Sequence, residues 1–337
     1  MKSYNVGVVG ALGAVGTEML KILRQRDFPI EMIKSLDVKQ NEGKKICFKG
    51  SEVEVQVAEK GAFLGLDIVL FSAGEAASHN LAPVAVAEGC IVIDNSNAFR
   101  MDPKVPLVIP EVNPEDVLRH EGIIANPNCS TTQMLVALKP LHDRYVIKRI
   151  VVSTYQAVSG SGLVGVTELE EQLRAYVDDR ELEVKVYPHQ IAFNAIPHID
   201  SFTDNGYTKE EMKMVHETHK IFHNDEIHIS PTAVRIPVIR CHSETINIET
   251  EKTIDVEEAK VLLSRAPGIK VLDDISANIY PLATKLVGTD EVYVGRIRQD
   301  FSVANGLNMW VVADNLRKGA ALNAVQIAET LIKYKKV

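Results

Sequence analysis

The sequence predicts an α/β protein in two parts, a parallel-sheet domain followed by an α+β domain whose sheet is mostly antiparallel. Three observations carry that expectation. An apolar strand pattern runs into a glycine-rich turn and a helix at the N-terminus, and short apolar strands then alternate with helices as far as residue 128. After residue 129 the texture changes to a long polar helix and alternating strands. At 337 residues and 46% hydrophobic content, the chain can build two separate cores.

Tyr4–Val9 reads as the first strand, and Gly10-Ala11-Leu12-Gly13-Ala14-Val15-Gly16 leads from it into a helix, Thr17–Gln25. Gly10 permits the tight turn, Gly13 lets backbone approach a pyrophosphate, and Gly16 lets helix and strand pack closely. Phosphate charge would sit on the helix N-terminus, so a dinucleotide is the expected ligand of this segment. Ile68–Phe71 and Ile91–Asp94 continue the alternation, and Ile123–Ala125 ends another strand. Pro127 biases Asn126 toward extended backbone, so the following helix starts beyond it, with Met134–Leu138 and Leu141 at helical spacing. Farther on, Arg149–Thr154, Ala233–Ile239, Glu244–Glu249 and Glu291–Arg298 read as strands and Gly165–Tyr176 as a polar helix. Leu316–Lys335 returns to a long amphipathic helix that can cross back onto the first domain. The expected domains are 1–128 with 315–337, and 129–314.

A net charge of −8 excludes the basic stripe that nucleic acid requires. No uncharged apolar run reaches membrane-spanning length, and the N-terminus enters a strand pattern with no basic leader, so a soluble, cytoplasmic protein is expected. Cys47, Cys90, Cys129 and Cys241 lack CxxC pairing, which fits a reducing compartment better than a disulfide framework or a zinc site.

Asn126-Pro127-Asn128-Cys129-Ser130-Thr131-Thr132 places a thiol at a strand-to-helix junction. Backbone N–H groups and the positive end of the helix dipole favour thiolate there, and the same N–H groups can hold an oxyanion. A small cysteine filling a core gap is the structural alternative, and the polar context speaks against it. The expected nucleophile would lie at the seam between domains, where clefts form.

Several blocks together resemble the bacterial aspartate-semialdehyde dehydrogenase family from end to end. They are the glycine loop ending Val15-Gly16, Asn95–Met101, Asn126–Thr132, Tyr155–Gly162, Ala192–Asp200, Arg240–Ser243 and Asp314–Ala321. The resemblance implies a Rossmann domain plus a catalytic α+β domain that also forms a homodimer. It also implies reversible, NADPH-dependent reductive dephosphorylation of L-aspartyl 4-phosphate to L-aspartate 4-semialdehyde and phosphate, toward lysine, threonine and methionine. A Cys129 thiolate can displace phosphate from an acyl phosphate and leave a thioester for a hydride to reduce. His242, with an ordinary pKa near 6.5, is the matching acid/base, and Gln156 resembles the residue that orients substrate.

By the same resemblance Arg235 clamps the α-carboxylate, Arg100 and Lys220 hold phosphate, Glu217 takes the ammonium and Asn128 adjoins the substrate. Glu217 and Lys220 lie three apart on a helix and share a face. The cofactor set is Gly10, Leu12, Gly13, Ala14, Val15, Gly16, Asp37, Gln40, Asn41, Ser72, Ala73, Gly74, Asn95, Ser96, Ser159, Gly160 and Asn315.

The departure from the family pattern is Leu36-Asp37-Val38-Lys39-Gln40-Asn41. Gln40 stands where NADP-using members commonly have Arg, and Asp37 is placed to accept a ribose 2′-hydroxyl and repel a 2′-phosphate. NADP(H) is still expected, with its preference over NAD(H) weakened and NAD(H) a secondary cofactor. His216, His219, His223 and His228 offer a metal reading, but the order lacks an HExxH pattern and no metal is expected. A sister reductase of N-acetylglutamyl phosphate and an inactive nucleotide-binding scaffold are the alternatives.

Overall fold

The computed structural model describes residues 2–337, which divide into two compact units, 2–127 with 320–337, and 128–319. The first unit runs β1 (Tyr4–Val9), α1 (Ala14–Gln25), β2 (Ile30–Asp37), β3 (Lys45–Phe48), β4 (Ser51–Val57), β5 (Ile68–Phe71), α2 (Glu75–Ala87), β6 (Ile91–Asp94) and β7 (Ile123–Ala125). Its sheet has the order β3-β4-β2-β1-β5-β6-β7 and is parallel apart from the β3–β4 pair. From β1 the chain moves outward to β2 and later returns to the other side with β5. A strand-order switch of this kind opens a crevice at the carboxyl ends of β1 and β5, which is where open α/β sheets bind ligands.

The helix expected from Thr17 begins at Ala14, three residues earlier. Gly16 explains it, because a Cβ there would overlap the Gly10 carbonyl oxygen, and only glycine lets the helix start inside the loop.

The second unit contains α3 (Cys129–Tyr145), β8 (Ile147–Gln156), α4 (Leu163–Val177), α5 (Lys209–Phe222), β9 (His228–Arg235), β10 (His242–Thr250), α6 (Val256–Arg265), β11 (Ile269–Val271), α7 (Ala283–Leu286), β12 (Val292–Asp300) and β13 (Gly306–Ala313). The sheet order is β11-β12-β13-β10-β8-β9. Its three central pairs are antiparallel, and the outer pairs β11–β12 and β8–β9 are parallel. α3, buried along most of its length, packs over β8, β10 and β13.

The strand expected over Ala233–Ile239 instead spans His228–Arg235. Pro237 has no N–H for the ladder, so pairing stops before it, while Pro231 is accommodated because β9 is an edge strand.

Residues Arg317–Ala321 form a π-helical turn, and α8 (Leu322–Lys333) follows. The expected single helix over Leu316–Lys335 is thus interrupted at its start. In the first unit, Val325, Ala328 and Leu331 of α8 share an apolar cluster with Met19, Ile22 and Leu23 of α1, and Arg26 forms a forked ion pair with Glu329.

Candidate active site

Sheet order brings three side chains of the second unit to one edge. β8 and β9 are parallel neighbours, so Gln156 and Arg235 end them in register; β10 runs the opposite way, so His242 begins it beside the end of β8. The backbone of Ala157 joins two of these groups. Its N–H donates to His242 Nδ1 at 3.0 Å, and its carbonyl accepts from Arg235 Nη1 at 2.7 Å.

Cys129 is the first residue of α3, with Asn128 as the N-cap. The Asn128 Oδ1 accepts from the N–H groups of Ser130 (2.9 Å) and Thr131 (3.2 Å), which fixes the helix start beneath the thiol. Gly319 lies against the same residue: a Cβ on it would be 2.7 Å from the Cys129 Cβ. Gly160 similarly approaches Arg235 and His242, since its Cβ would lie 2.8 Å from Arg235 Nη1 and 3.4 Å from His242 Nε2.

Glu210, not singled out from the sequence, is central to this cluster. Its carboxylate accepts from Asn128 Nδ2 at 2.8 Å and from Gln156 Nε2 at 3.1 Å, and lies 3.1 Å from the Lys213 ammonium. Gln156 Nε2 also donates to Ser130 Oγ. Burial would raise the Glu210 carboxyl, but the Lys213 charge and the hydrogen bonds from Asn128, Gln156 and Lys213 prevail and hold it down at about 2. Lys213 also reaches Asp200 at 3.0 Å.

The expected pair Glu217 and Lys220 lies two turns farther along α5. Glu217 is buried and accepts the Asn128 backbone N–H at 2.7 Å, so it supports the N-cap from behind, and Lys220 is half-buried. Glu210 and Lys213 show the same Glu-x-x-Lys spacing, and this repeated spacing was the available signal for them.

His242 departs from the value near 6.5 expected for it. Complete burial and the neighbouring Arg235 charge push its pKa down to about 3, against a smaller opposing effect of Glu210. With Nδ1 accepting from Ala157, the neutral ring carries its proton on Nε2, which is buried and has no hydrogen-bond partner within the described residues.

Among the expected cofactor residues of the first unit, Gly10 takes the left-handed conformation (φ 75°), and a Cβ on it would overlap the Ser72 carbonyl oxygen. Gly13 is the N-cap of α1 and Gly74 that of α2. The N–H groups of Ala14, Val15 and Gly16 therefore belong to a helix start that can cradle a pyrophosphate. Asn95 and Ser96 follow β6, where the buried Asp94 accepts from Ser78 Oγ at 2.7 Å and from Ser96 Oγ at 2.6 Å. Asp37 turns back to the glycine loop, accepting from Leu12 N–H (3.1 Å), Val38 N–H (2.8 Å) and Asn41 Nδ2 (2.9 Å). Gln40 is exposed.

Arg100 belongs to this unit too, donating from Nε to the Asn126 carbonyl at 2.9 Å and from Nη2 to the Asn95 carbonyl at 3.0 Å. Ser159, Gly160 and Asn315 belong to the second unit. There Asn315 Oδ1 accepts the Cys241 N–H at 3.0 Å, and its Nδ2 donates to Ser159 Oγ at 2.9 Å. The four cysteines are separate thiols; burial pushes Cys90 up to about 11 and Cys241 up to about 12, so neither is a nucleophile at neutral pH. Among the described residues no three His, Cys, Asp or Glu side chains group as metal ligands, and His219 Nε2 is 2.8 Å from the Ile227 carbonyl.

A glycine-loop parallel-sheet unit joined to a second sheet unit is the arrangement of a nucleotide-dependent dehydrogenase. Two family models match accordingly: semialdehyde dehydrogenase, NAD binding domain, over residues 5–120, and semialdehyde dehydrogenase, dimerisation domain, over residues 138–318. The aspartate-semialdehyde dehydrogenase of Aquifex aeolicus (strain VF5) is 54% identical, over 98% of this chain and 98% of its own length. The crystal structure of aspartate semialdehyde dehydrogenase II from Vibrio cholerae complexed with ASA is 47% identical with a TM-score of 0.97, covering 99% of each chain. That of the Candida albicans enzyme with NADP is 25% identical with a TM-score of 0.78, covering 99% of this chain and 100% of its own. The chain belongs to the aspartate-semialdehyde dehydrogenase family.

Proposed function

We propose that this chain catalyses the reversible, NADP(H)-dependent reductive dephosphorylation of L-aspartyl 4-phosphate to L-aspartate 4-semialdehyde and phosphate. The observation that carries this reading is the convergence of Cys129, Gln156, Glu210, Arg235 and His242, joined through Asn128 and Ala157. The Cys129 thiolate adds to C4 of the acyl phosphate, and collapse of the adduct breaks the C4–O bond so that phosphate leaves with the electron pair. Reduction of the resulting thioester would draw its hydride from a reduced nicotinamide when one is bound. Collapse then breaks the C4–S bond, returns its electrons to Sγ and frees the aldehyde.

His242 Nε2–H suits the oxygen of C4, which becomes negative in both additions. A neutral imidazole can stabilise that oxygen by donating a hydrogen bond, and neither addition requires the ring to surrender its proton. The remaining N–H groups of Arg235 take the substrate α-carboxylate, Glu210 takes the ammonium and Lys213 the phosphate, in place of the expected Glu217 and Lys220. The N-terminal glycine loop supports a dinucleotide. With the Asp37 carboxylate engaged by Leu12, Val38 and Asn41, NADP(H) is the working cofactor, and Gln40 in place of Arg leaves NAD(H) a secondary one.

A homodimer is supported by the apolar surface of α4, where Leu163, Val164, Tyr176 and Val177 are exposed and Tyr176 packs against exposed Phe193 with ring centroids 4.6 Å apart. Among the described residues no helix is long and apolar enough to cross a membrane, and the separate thiols support a cytoplasmic enzyme.

NADPH formation from the semialdehyde, phosphate and NADP tests the reaction, with Cys129→Ala as the control. Activity is expected for the parent and absent from the variant; an active variant would overturn the covalent route. In the same assay kcat/KM with NADP should exceed that with NAD by less than roughly a thousandfold, and a larger ratio would remove NAD(H) as a secondary cofactor.

A further inference from the structure

Glu244 has no part in the chemistry above, yet it lies two residues beyond His242 on β10, so both side chains project from the same face of the strand. It is completely buried, opposite Thr154 on β8 and Val311 on β13. Neither of its oxygens has a hydrogen-bond partner of normal geometry within the described residues, and Gln133 Oε1 and Thr154 Oγ1 are also buried and unsatisfied. Burial pushes the carboxyl well above the usual carboxylate range, with the Gln133 side chain opposing the shift. The residues facing it, Gln133, Thr154 and Val311, do not titrate. A leucine of similar volume would fill such a site at lower cost, so packing alone does not account for a carboxyl here.

Gln133 connects this group to the catalytic pair. It lies four residues after Cys129, one turn down α3 on the same side, and is completely buried. Its Nε2 is 3.4 Å from the His242 carbonyl oxygen. The helix carrying the nucleophile is therefore tied to the strand carrying the imidazole by the Gln133 amide, beside Glu244.

We propose that Glu244 is a positioning residue for Cys129 and His242, acting through Gln133 to hold the first turns of α3 against the start of β10. The Glu244 carboxyl oxygen can accept one Gln133 N–H, which orients the amide so that its other N–H faces the His242 carbonyl. Loosening that tie lets α3 slide along its axis and moves Sγ relative to Nε2, and a misplacement of about 1 Å is enough to slow the chemistry on the order of a hundredfold.

The inference rests on the roles given to Cys129 and His242, and Cys129→Ala, run in parallel, tests those roles separately. Glu244→Leu keeps the volume and removes the polar group. It is expected to melt no lower than the parent, to lose kcat by about tenfold or more with KM within about twofold, and to alkylate more slowly at Cys129 with iodoacetamide. Glu244→Gln, which keeps a carbonyl oxygen as acceptor, should recover most of that loss. Should Glu244→Leu fold poorly, Gln133→Met cuts the same tie from the helix and should slow kcat comparably. A stable Glu244→Leu enzyme with parental kcat, a Glu244→Gln enzyme as slow as Glu244→Leu, or a Gln133→Met enzyme with parental kcat would each overturn the proposal.

Discussion

The glycine loop of the N-terminal unit and the catalytic cluster of the second unit are assembled on opposite principles. The loop is contiguous: Gly10, Gly13 and Gly16 act through backbone shape, with Gly10 required by the adjacent strand end at Ser72 and Gly16 by the Gly10 carbonyl. The cluster is discontinuous: Asn128, Gln156, Glu210, Arg235 and His242 come from one helix cap, three strand ends and a separate helix. A site made of backbone can be spoiled only by adding atoms. A site made of side chains is spoiled by removing one, and its electrostatics follow from neighbours far away in sequence.

Gly16→Val puts this contrast under the strongest strain, since any Cβ at that position overlaps the Gly10 carbonyl. Cofactor affinity should fall by more than about a hundredfold and stability by about 1–3 kcal/mol, read by fluorescence titration with NADPH and by thermal melting. Parental affinity would show that the loop is not held as tightly as described.

Glu210→Gln addresses the side-chain half. Loss of a buried carboxylate that meets an ammonium should lower kcat/KM by about 10–100-fold, mainly through KM, whereas Glu217→Gln should act mostly on stability through the Asn128 cap. The reverse ranking would restore Glu217 as the ammonium ligand. Glu210 also predicts a pH effect. Its folded pKa, at about 2, lies below its unfolded value, so the stabilisation it brings is complete above about pH 4.5 and is lost as pH falls toward 2. Acid melting of Glu210→Gln should lack that component.

The smallest expected effect concerns His242. Its pKa of about 3 is below the ordinary 6.5, so the unfolded chain binds more protons between those values, and stability should decline as pH is lowered from 6.5 toward 3. Comparing melting curves of the parent and His242→Gln at pH 7 and 4.5 should show a smaller acid loss in the variant, by about 1–3 kcal/mol. Equal losses would mean that the imidazole is more solvated than its burial indicates.

The same contrast governs how much was legible in the chain. Residues 10–16 could be read directly, because glycines spaced between a strand and a helix form a local pattern in the chain. Cys129 at a helix start was legible for the same reason, through Pro127 and the Ser/Thr run. Glu210 and Lys213 were not: two Glu-x-x-Lys pairs occur on α5, and only the packing of that helix against Asn128 and Gln156 distinguishes them. Asp37 was read as facing a ribose, and nothing in its neighbours along the chain indicates that Leu12 N–H captures it. The π-helical turn before α8 left no periodic signature to detect.

By itself, the sequence determined the two-part α/β architecture, the dinucleotide loop, the thiol and the chemical kinds of group around it, because these depend on local backbone geometry and on residue type. Which Glu–Lys pair joins the cluster, which nitrogen of His242 carries the proton and how far its pKa falls were decided only by tertiary structure. Burial and through-space charge set those properties, and both depend on groups that chain order alone does not bring together.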